Sequence, residues 1–315
     1  MQTTSHLLMI RPVHFEFNKQ TAVNNSFQVV LKDKNISCKA MEEFDRLVTV
    51  LTAHGMDVTV VEDTPEPNTP DSIFPNNWIS FHADGTVCIY PMFAINRRAE
   101  RKPQVIRKIR EKFQVSRTID LTYYEQEGRF LEGTGSMILD RENRIVYACL
   151  SARTDKKVLQ DFCDRFFYKA VVFHGVDEQK SPIYHTNVMM NLADKYVCIC
   201  LETITDPTEK ENVISTIHGS SKEIIELSFD QINHFAGNML QVENCKGEKF
   251  LMMSSQAYRS LDSQQLTRLG SFNFLIHSDL DIIETVGGGS ARCMMAEIFL
   301  PVKRNNSDEI SGIAG

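Results

Sequence analysis

A loop-and-hairpin segment recurs five times along this chain at nearly constant spacing. Aligning Asn77, Thr134, Asn187, Asn238 and Arg292 gives successive steps of 57, 53, 51 and 54 residues. A period this regular predicts five copies of one supersecondary unit, and such units stack on one another or close into a ring. The copies read FPNNWISFHADGTVCIYPM from Phe74, LEGTGSMILDRENRIVYACL from Leu131, YHTNVMMNLADKYVCICLE from Tyr184, FAGNMLQVENCKGEKFLMMS from Phe235 and GGGSARCMMAEIFLP from Gly287.

A helix and a short strand are predicted before each copy, because apolar residues recur at three- and four-residue spacing and are then followed by short apolar runs. The predicted helices are Cys38–His54, Pro103–Phe113, Thr154–Phe167, Pro207–His218 and Gln256–Leu269. The predicted strands are Asp57–Val61, Val115–Leu121, Lys169–Phe173, Glu223–Leu227 and Asn273–His277, with a further strand at Val188–Met190 inside the third copy. The fifth copy holds one strand, Cys293–Leu300, and the N-terminal strand Leu7–Phe15 is expected to pair with it and close the ring.

Bulk composition narrows the domain organisation and the partners. Each repeat unit must pack against its neighbours, so we expect residues 1–304 to form one closed domain. The tail, 305–315, contains Ser, Asp and Gly, and we expect it to fray. A net charge of −7 and a pI near 5.8 argue against nucleic acid as a partner, because phosphate binding needs a basic face. The one cationic run, Ile95–Phe113, is expected to form a solvated helix with Pro103 in its first turn.

Neither a membrane span nor a secretory signal is predicted. No apolar stretch approaches 18 residues, and the N-terminus lacks a charged region followed by a long apolar core. The cysteines are scattered without a CxxC motif, so we expect a cytoplasmic protein that needs neither a metal nor an organic cofactor. The sequence leaves the oligomeric state open, a homodimer included. Five cysteines in apolar runs are expected to be reduced core residues: Cys88, Cys149, Cys163, Cys198 and Cys200.

The opening loops of the five copies carry different polar residues, and a closed ring would bring them together at its axis. Taken singly, Cys293 could be a core residue beside two methionines, and Glu132 an ordinary loop carboxylate. A thiol, an imidazole and a carboxylate at equivalent repeat positions instead favour nucleophilic catalysis. The residues are Asn76 and Asn77 in the first copy, Glu132 in the second, His185 and Asn187 in the third, Asn238 in the fourth and Cys293 in the fifth.

Over essentially its whole length the chain resembles the pentein, or α/β-propeller, enzymes that modify guanidines. These include arginine deiminases, dimethylargininases, amidinotransferases and succinylarginine dihydrolases. The resemblance rests on GGGSARC ending at Cys293, on the Glu-Gly motif at Glu132, on His-x-Asn at His185 and on the SART segment at Ser151–Thr154. Within the group, FPNNW, EGTGS and FAGNML look closest to the citrulline-utilisation hydrolases, or citrulline ureidases. The implied fold class is α/β, with five strand–loop–hairpin–helix units around a pseudo-fivefold axis.

The resemblance also implies roles for individual residues. Cys293 would be the nucleophile, which an imidazolium partner activates. His185 would be the general acid and base, giving a proton to the departing nitrogen and later taking one from water. Glu132 would orient that imidazole and bind substrate nitrogen. Arg153 would pair with the α-carboxylate of the substrate, a task that suits its bidentate geometry.

Two departures from the deiminase pattern point to a neutral substrate. Deiminases place aspartates where this chain has Asn187 and Asn77, and those carboxylates hold the cationic guanidinium. An amide both donates and accepts, so it matches a neutral ureido group better than a guanidinium. Asn76 and Asn238 are further substrate-binding candidates, and Asp71 would restore one negative charge if it turned inward.

The predicted function is therefore hydrolysis of a small-molecule amino acid, citrulline, to ornithine, CO₂ and ammonia through a covalent intermediate on Cys293. The alternatives are an arginine deiminase, a succinylarginine-type dihydrolase that takes a guanidino substrate, and an amidinotransferase. A remote alternative is a non-catalytic pentein that binds a ribosomal surface, which would need no Cys–His–Glu set. The proline-containing loop Thr64–Asp71 is a candidate lid over the site.

Overall fold

The protein was analysed as a computed structural model, which describes residues 1–303; the tail expected to fray, 305–315, lies outside the described residues. Its strands form five three-stranded sheets, β15-β1-β2, β3-β4-β5, β6-β7-β8, β9-β10-β11 and β12-β13-β14. The strands are β1 His6–Arg11, β2 Asp57–Glu62, β3 Ile79–Phe81, β4 Thr86–Ile89, β5 Arg117–Asp120, β6 Ile138–Asp140, β7 Ile145–Cys149, β8 Lys169–Phe173, β9 Met190–Leu192, β10 Tyr196–Ile199, β11 Glu223–Glu226, β12 Leu240–Glu243, β13 Lys249–Ser254, β14 Phe274–Ser278 and β15 Ala296–Glu297.

Each sheet is built in the same way. An inner strand pairs antiparallel with a middle strand, and the middle strand pairs in parallel with an outer strand that follows a helix. The inner strands β6, β9 and β12 pack against one another in succession, and β15 packs against β3. The five-unit α/β architecture expected from the repeat is therefore confirmed.

The two ends of the chain meet in one sheet. Leu7 of β1 lies opposite Glu297 of β15, and Leu8 lies opposite Ala296, so the predicted pairing of the first and last strands is correct. Both strands are shorter than predicted. β1 ends at Arg11, since Pro12 has no N–H to continue the ladder, and Cys293 lies in a 3₁₀ turn, Ala291–Met294, that precedes β15.

The longer helices pack against the outer strands of the sheets and largely follow the prediction. They are α1 Ile36–Ala53, α2 Pro103–Lys112, α3 Gly133–Ser136, α4 Lys156–Phe166, α5 Thr186–Met189, α6 Pro207–Gly219, α7 Phe229–Asn233, α8 Ser255–Ser260 and α9 Ser263–Gly270. The single helix predicted over Gln256–Leu269 is wrong. It is divided because the Asp262 carboxylate accepts the backbone N–H groups of Gln264 and Gln265, each at 2.8 Å, and so starts a new helix.

The cationic run Ile95–Phe113 is solvated only in part, although its helix begins at Pro103 as predicted. The segment divides into a 3₁₀ turn, Asn96–Glu100, and α2. Arg97 and Glu100 on that turn are buried, so only the later part of the cationic run forms an outer helix. The five cysteines expected in the core are buried and unpaired. Within residues 1–303, no helix is both long and apolar enough to cross a membrane.

Candidate active site

Short helical turns deliver the site residues to the start of the inner strands. Glu132 is the residue before α3, and His185 is the residue before α5. The strand predicted at Val188–Met190 is therefore wrong, because most of it belongs to α5 and only Met190 begins β9. Asn76 and Asn77 lie in a 3₁₀ turn, Pro75–Asn77, and Cys293 lies in the turn Ala291–Met294.

Close backbone packing between neighbouring turns explains one glycine of the Glu-Gly motif. Gly133 has φ of +46°, and a Cβ there would lie 2.2 Å from the Asn76 carbonyl oxygen. Any side chain would therefore separate the turn that carries Glu132 from the turn that carries the two asparagines. This contact places the carboxylate of one repeat beside the amides of the previous repeat.

The Cys293 thiol is buried between two asparagine amides. Asn187 Nδ2 and Asn238 Nδ2 each donate to Sγ at 3.2 Å. The Asn238 amide is fixed in this orientation, because its Oδ1 accepts the Cys293 backbone N–H at 3.3 Å while Nδ2 also donates to the Asn187 carbonyl at 3.0 Å. Two donors aimed at one sulfur favour a negative charge on it. The expected meeting of the third, fourth and fifth repeats therefore occurs at the sulfur atom.

Glu132 and His185 form a buried hydrogen-bonded pair. Glu132 Oε2 lies 2.8 Å from His185 Nε2, and Oε1 accepts the Phe93 backbone N–H at 3.0 Å. Burial alone would raise the pKa of Glu132, but the charges of Arg153 and Arg97 and the bond to His185 outweigh it and lower that pKa to about 2. Burial also lowers the pKa of His185 to about 4, despite the opposing effect of Glu132. At neutral pH the pair is thus a carboxylate and a neutral imidazole.

The other imidazole nitrogen faces Asn77. A Cβ on Gly135 would lie 2.8 Å from His185 Nδ1 and 2.5 Å from Asn77 Nδ2, so both atoms pack closely against this glycine. Because Glu132 is ionised and can only accept, Nε2 carries the hydrogen and Nδ1 has a lone pair. The imidazole is therefore oriented as a base toward the same space as the amide nitrogen.

Arg97 is a site residue that the sequence analysis missed. Its NH1 donates to Asn77 Oδ1 at 2.8 Å, while Nε and NH2 donate to the Glu100 carboxylate at 2.8 and 3.0 Å. The sequence feature that could have indicated an ion pair is the spacing of the opposite charges of Arg97 and Glu100, at positions i and i+3. That spacing is equally common on solvated helices, so by itself it did not indicate burial.

Arg153 is buried, and the segment 18–29 lies against it. Its Nε donates to Asn24 Oδ1 at 2.9 Å and its NH2 donates to the Thr21 carbonyl at 2.8 Å. NH1 lies 3.5 Å from Glu132 Oε2, and the guanidinium packs over the ring of Tyr184. Arg153 therefore joins the candidate catalytic carboxylate to a segment that no motif had indicated. The role of Thr64–Asp71 as a lid stays a prediction.

Asp71 does turn inward, as the sequence analysis allowed. Its Oδ2 accepts from Asn18 Nδ2 at 2.8 Å and from Thr21 Oγ1 at 3.1 Å, and lies 3.7 Å from Arg97 Nε. Burial raises the pKa of Asp71 in spite of the nearby guanidinium. Burial likewise raises the pKa of Glu100 to about 7. The negative charge of Glu100 beside Arg97 is therefore reduced near neutral pH.

Four polar atoms of the candidate substrate-binding residues are buried without a hydrogen-bond partner among the described residues: Asp71 Oδ1, Asn76 Oδ1, Asn77 Nδ2 and Asn187 Oδ1. Such groups are rare, because leaving one unpaired costs about 1–3 kcal/mol. They comprise one donor and three acceptors. A ligand that offers one acceptor and several N–H donors would satisfy them together.

A profile for the family described as N,N-dimethylarginine dimethylhydrolase, eukaryotic, matches residues 11–300. No curated protein sequence matches the chain. The N-terminal domain of ArgZ, described as an arginine dihydrolase from the ornithine–ammonia cycle in cyanobacteria, superposes with a TM-score of 0.73 at 19% identity over 94% of this chain and 98% of that domain.

Two further solved structures share the fold. Unliganded AgrE superposes with a TM-score of 0.73 at 19% identity, over 95% of this chain but only 40% of AgrE. Full-length ArgZ is likewise matched over 41% of its length. A dimethylarginine dimethylaminohydrolase adduct with S-methyl-L-thiocitrulline superposes with a TM-score of 0.64 at 15% identity, over 94% of this chain and 100% of that one. At these identities the likeness is one of fold, and the fold is the pentein fold.

Proposed function

We propose that this chain, which belongs to the eukaryotic N,N-dimethylarginine dimethylhydrolase family, is a cysteine-dependent hydrolase, as expected of a family whose members hydrolyse guanidino C–N bonds. We further propose that its substrate is L-citrulline. Cys293 is the proposed nucleophile, His185 the acid and base, and Glu132 the residue that orients His185. The products would be ornithine, CO₂ and ammonia.

The orientation of the Asn77 amide carries the choice of citrulline. A guanidinium has only donors, so Arg97 must meet the oxygen of Asn77, at 2.8 Å. The amide nitrogen of Asn77 is left without a partner among the described residues and packs against Gly135 beside His185 Nδ1. This nitrogen can only donate. It can therefore donate a hydrogen bond to the ureido oxygen of citrulline. It cannot bind a guanidinium in the same way, because the groups around the guanidinium carbon are N–H donors.

The acceptors nearby suit the rest of a ureido group. Asn187 donates its Nδ2 hydrogen to the Cys293 sulfur, so its Oδ1 is available to accept from the terminal NH₂ of the substrate. Asp71 Oδ1 is a second available acceptor. One donor with two acceptors matches one C=O and the N–H groups on either side of it. Arg153 is the proposed partner of the substrate α-carboxylate, in exchange for its present contacts with Thr21 and Asn24.

The first half of the proposed reaction forms the covalent intermediate. Neutral His185 takes the Cys293 proton, and the amides of Asn187 and Asn238 stabilise the thiolate. The thiolate adds to the ureido carbon, and Asn77 Nδ2 donates to the oxygen as it becomes negative. One such donor is typically worth about 10²–10³ in rate. His185 then returns the proton to the departing nitrogen, and the C–N bond breaks to leave a carbamoyl thioester.

The second half consumes one water. His185 removes a proton from water, the resulting hydroxide adds to the thioester carbon, and the C–S bond breaks to restore the Cys293 thiol after proton return. The carbamate that leaves decomposes to CO₂ and an amine. Ammonia and ornithine are the two nitrogen products whichever C–N bond breaks first. No redox step or external group is needed for this balance.

A second candidate is hydrolysis of the substrate in the family description, N,N-dimethylarginine. Asp71 favours it, because a buried carboxylate oxygen without a partner among the described residues would give a guanidinium one counter-charge. Hydrolysis of dimethylarginine with loss of dimethylamine would leave citrulline as a product instead of consuming it.

Product analysis with purified protein separates these candidates. Ornithine, citrulline and ammonia are measured after incubation with L-citrulline, L-arginine or N,N-dimethylarginine at equal concentration and neutral pH. We expect ornithine from citrulline and no turnover by Cys293→Ala, with Cys38→Ala as the matched control at an exposed cysteine. Citrulline accumulating from arginine or dimethylarginine would overturn the choice of substrate. Full activity of Cys293→Ala would overturn the proposed nucleophile.

A further inference from the structure

A large cavity lies at the ends of the inner strands that are opposite to the candidate active site. Its volume is about 790 Å³, within the range of about 300–1,000 Å³ that is usual for small-molecule sites. Asp84 in the turn after β3 and Arg141 in the turn after β6 both line it, whereas Asn77 and Glu132 precede those strands. None of the proposed catalytic residues borders this cavity.

Arginines dominate the charge of this cavity. Arg117 is neutralised by Asp84 at 3.0 Å, and Arg165 by Asp161 at 2.6 Å. Two others are not closely neutralised: Arg144 has no carboxylate within 4 Å in the described part of the chain, and the nearest carboxylate to Arg141 is Glu297 at 3.9 Å. Four arginines but only two carboxylates, Asp84 and Glu243, line this cavity, and this excess of positive charge in a chain of net charge −7 indicates an anionic ligand.

Aromatic rings accompany these two arginines. The Arg141 guanidinium lies 4.0 Å from the centre of the Phe299 ring, and Arg144 lies 5.5 Å from that of Tyr168. Phe167 also lines the cavity with its side chain 83% exposed, and it adopts a left-handed backbone with φ of +58°. A fully exposed phenylalanine at a position that glycine or asparagine usually occupies lacks a packing reason. Its ring is available to stack on a flat ligand.

We propose that this cavity binds a nucleoside phosphate. The planar forks of Arg141 and Arg144 fit phosphate oxygens in a bidentate manner. Phe167 offers the flat apolar face on which a nucleobase stacks, a contact worth about 1–3 kcal/mol. A ligand with only a phosphate would not contact the exposed Phe167 ring. A ligand with only a base would not contact the charges of Arg141 and Arg144. The site does not depend on the reaction proposed at Cys293.

Calorimetric titration of the full chain tests the proposal with four probes: ATP, AMP, adenosine and inorganic phosphate. We expect ATP and AMP to bind, and adenosine and phosphate to bind at least about tenfold more weakly, since each supplies only one of the two contacts. Binding of ATP should weaken as NaCl is raised, because the contacts are ionic. Removing the side chain of Arg144 or of Phe167 should lower the affinity for AMP at least about tenfold.

The variants are Arg144→Asn and Phe167→Ala, with Arg107→Gln as the matched control. Arg144 has φ of +54°, which asparagine tolerates, so the folded state should be kept. Arg107 lies exposed on α2 away from the cavity, and its loss should leave AMP affinity unchanged. No heat from ATP or AMP at millimolar concentration would overturn the site. Phosphate binding as tightly as AMP, or equal losses in Arg144→Asn and Arg107→Gln, would overturn the assigned ligand or its location.

Discussion

The NH1 group of Arg97 donates a hydrogen bond to Asn77 Oδ1 at 2.8 Å, and this contact determines what the amide can present to a ligand. Two hydrogen bonds to the Glu100 carboxylate and longer ones to the Asp71 and Phe74 carbonyls hold Arg97 in place. An asparagine can ordinarily rotate its amide to suit either a donor or an acceptor. Here the contact with Arg97 fixes one orientation of the Asn77 amide. Its Nδ2 is then a hydrogen-bond donor at a position where a carboxylate would place an acceptor.

Replacing Asn77 by aspartate should reverse this property. The new carboxylate would form an ion pair with Arg97 and offer its second oxygen to the substrate. We expect kcat/KM for citrulline to fall about 10²-fold, since a donor to the developing oxyanion is lost, and kcat/KM for dimethylarginine to rise. Steady-state kinetics on both substrates provide the measurement. An unchanged ratio of the two kcat/KM values would show that Asn77 does not select the substrate.

Replacing Arg97 by lysine should keep the charge but free the Asn77 amide. Lysine has no planar fork, so it cannot hold Glu100 and Asn77 together. We expect the preference for citrulline to weaken and the free energy of unfolding to fall by about 1–3 kcal/mol. Arg98→Lys is the matched control, because Arg98 is the adjacent arginine and is only partly buried. Similar losses of preference in both variants would contradict a specific role for Arg97.

Removing the Asn238 amide should make the Cys293 sulfur less reactive. Asn238→Ala deletes one of the two donors to Sγ, and it also deletes the acceptor for the Cys293 backbone N–H. We expect about a tenfold slower alkylation by iodoacetamide at pH 8 and a matching fall in kcat. The exposed Cys38 and Cys245 are first replaced by serine, so that mass spectrometry reports Cys293 alone. An alkylation rate equal to that of the parent protein would argue against thiolate stabilisation by this residue.

The pH dependence of the reaction should reflect the low pKa of His185. The base form is neutral His185, and its pKa of about 4 means that this form persists well below pH 6.5. Glu132, with a pKa of about 2, stays ionised over the same interval. We therefore expect kcat/KM for citrulline to be nearly flat from pH 7 to about 5 and to fall with a midpoint near 4.

Circular dichroism at each pH separates loss of activity from acid unfolding. A fall in kcat/KM centred near 6.5 in a protein that remains folded would mean that His185 titrates as it does in water. That result would contradict the described environment, in which burial outweighs the carboxylate of Glu132.

The period of the repeat was sufficient to predict the architecture. The same helix–strand–hairpin pattern appears five times, so an error in one copy does not change the fold, and strand β8 was predicted to the residue. Local boundaries were less predictable where a capping side chain competes with a continuous helix. Asp262 is such a case, because its carboxylate starts α9 in the middle of a helical pattern.

The site residues at repeat positions were predictable for the same reason, and those between repeats were not. Glu132 and His185 occupy equivalent places, and the structure joins them at 2.8 Å. Arg97 lies in a charged run that resembles a solvated helix, and its burial depends on Glu100 and Asp71 being folded around it. Segment 18–29 carries no motif, and its position follows only from long-range contacts such as that between Asn24 and Arg153.

The most direct test of the account follows the fate of the ureido carbon. Citrulline labelled with ¹³C at that carbon is incubated with the protein and observed by NMR, with Cys293→Ala as the blank. The account predicts that the label appears as bicarbonate and CO₂ while ornithine accumulates in equal amount. Label that stays in citrulline, together with citrulline formed from dimethylarginine, would show that the site acts on guanidines and stops at the ureido stage.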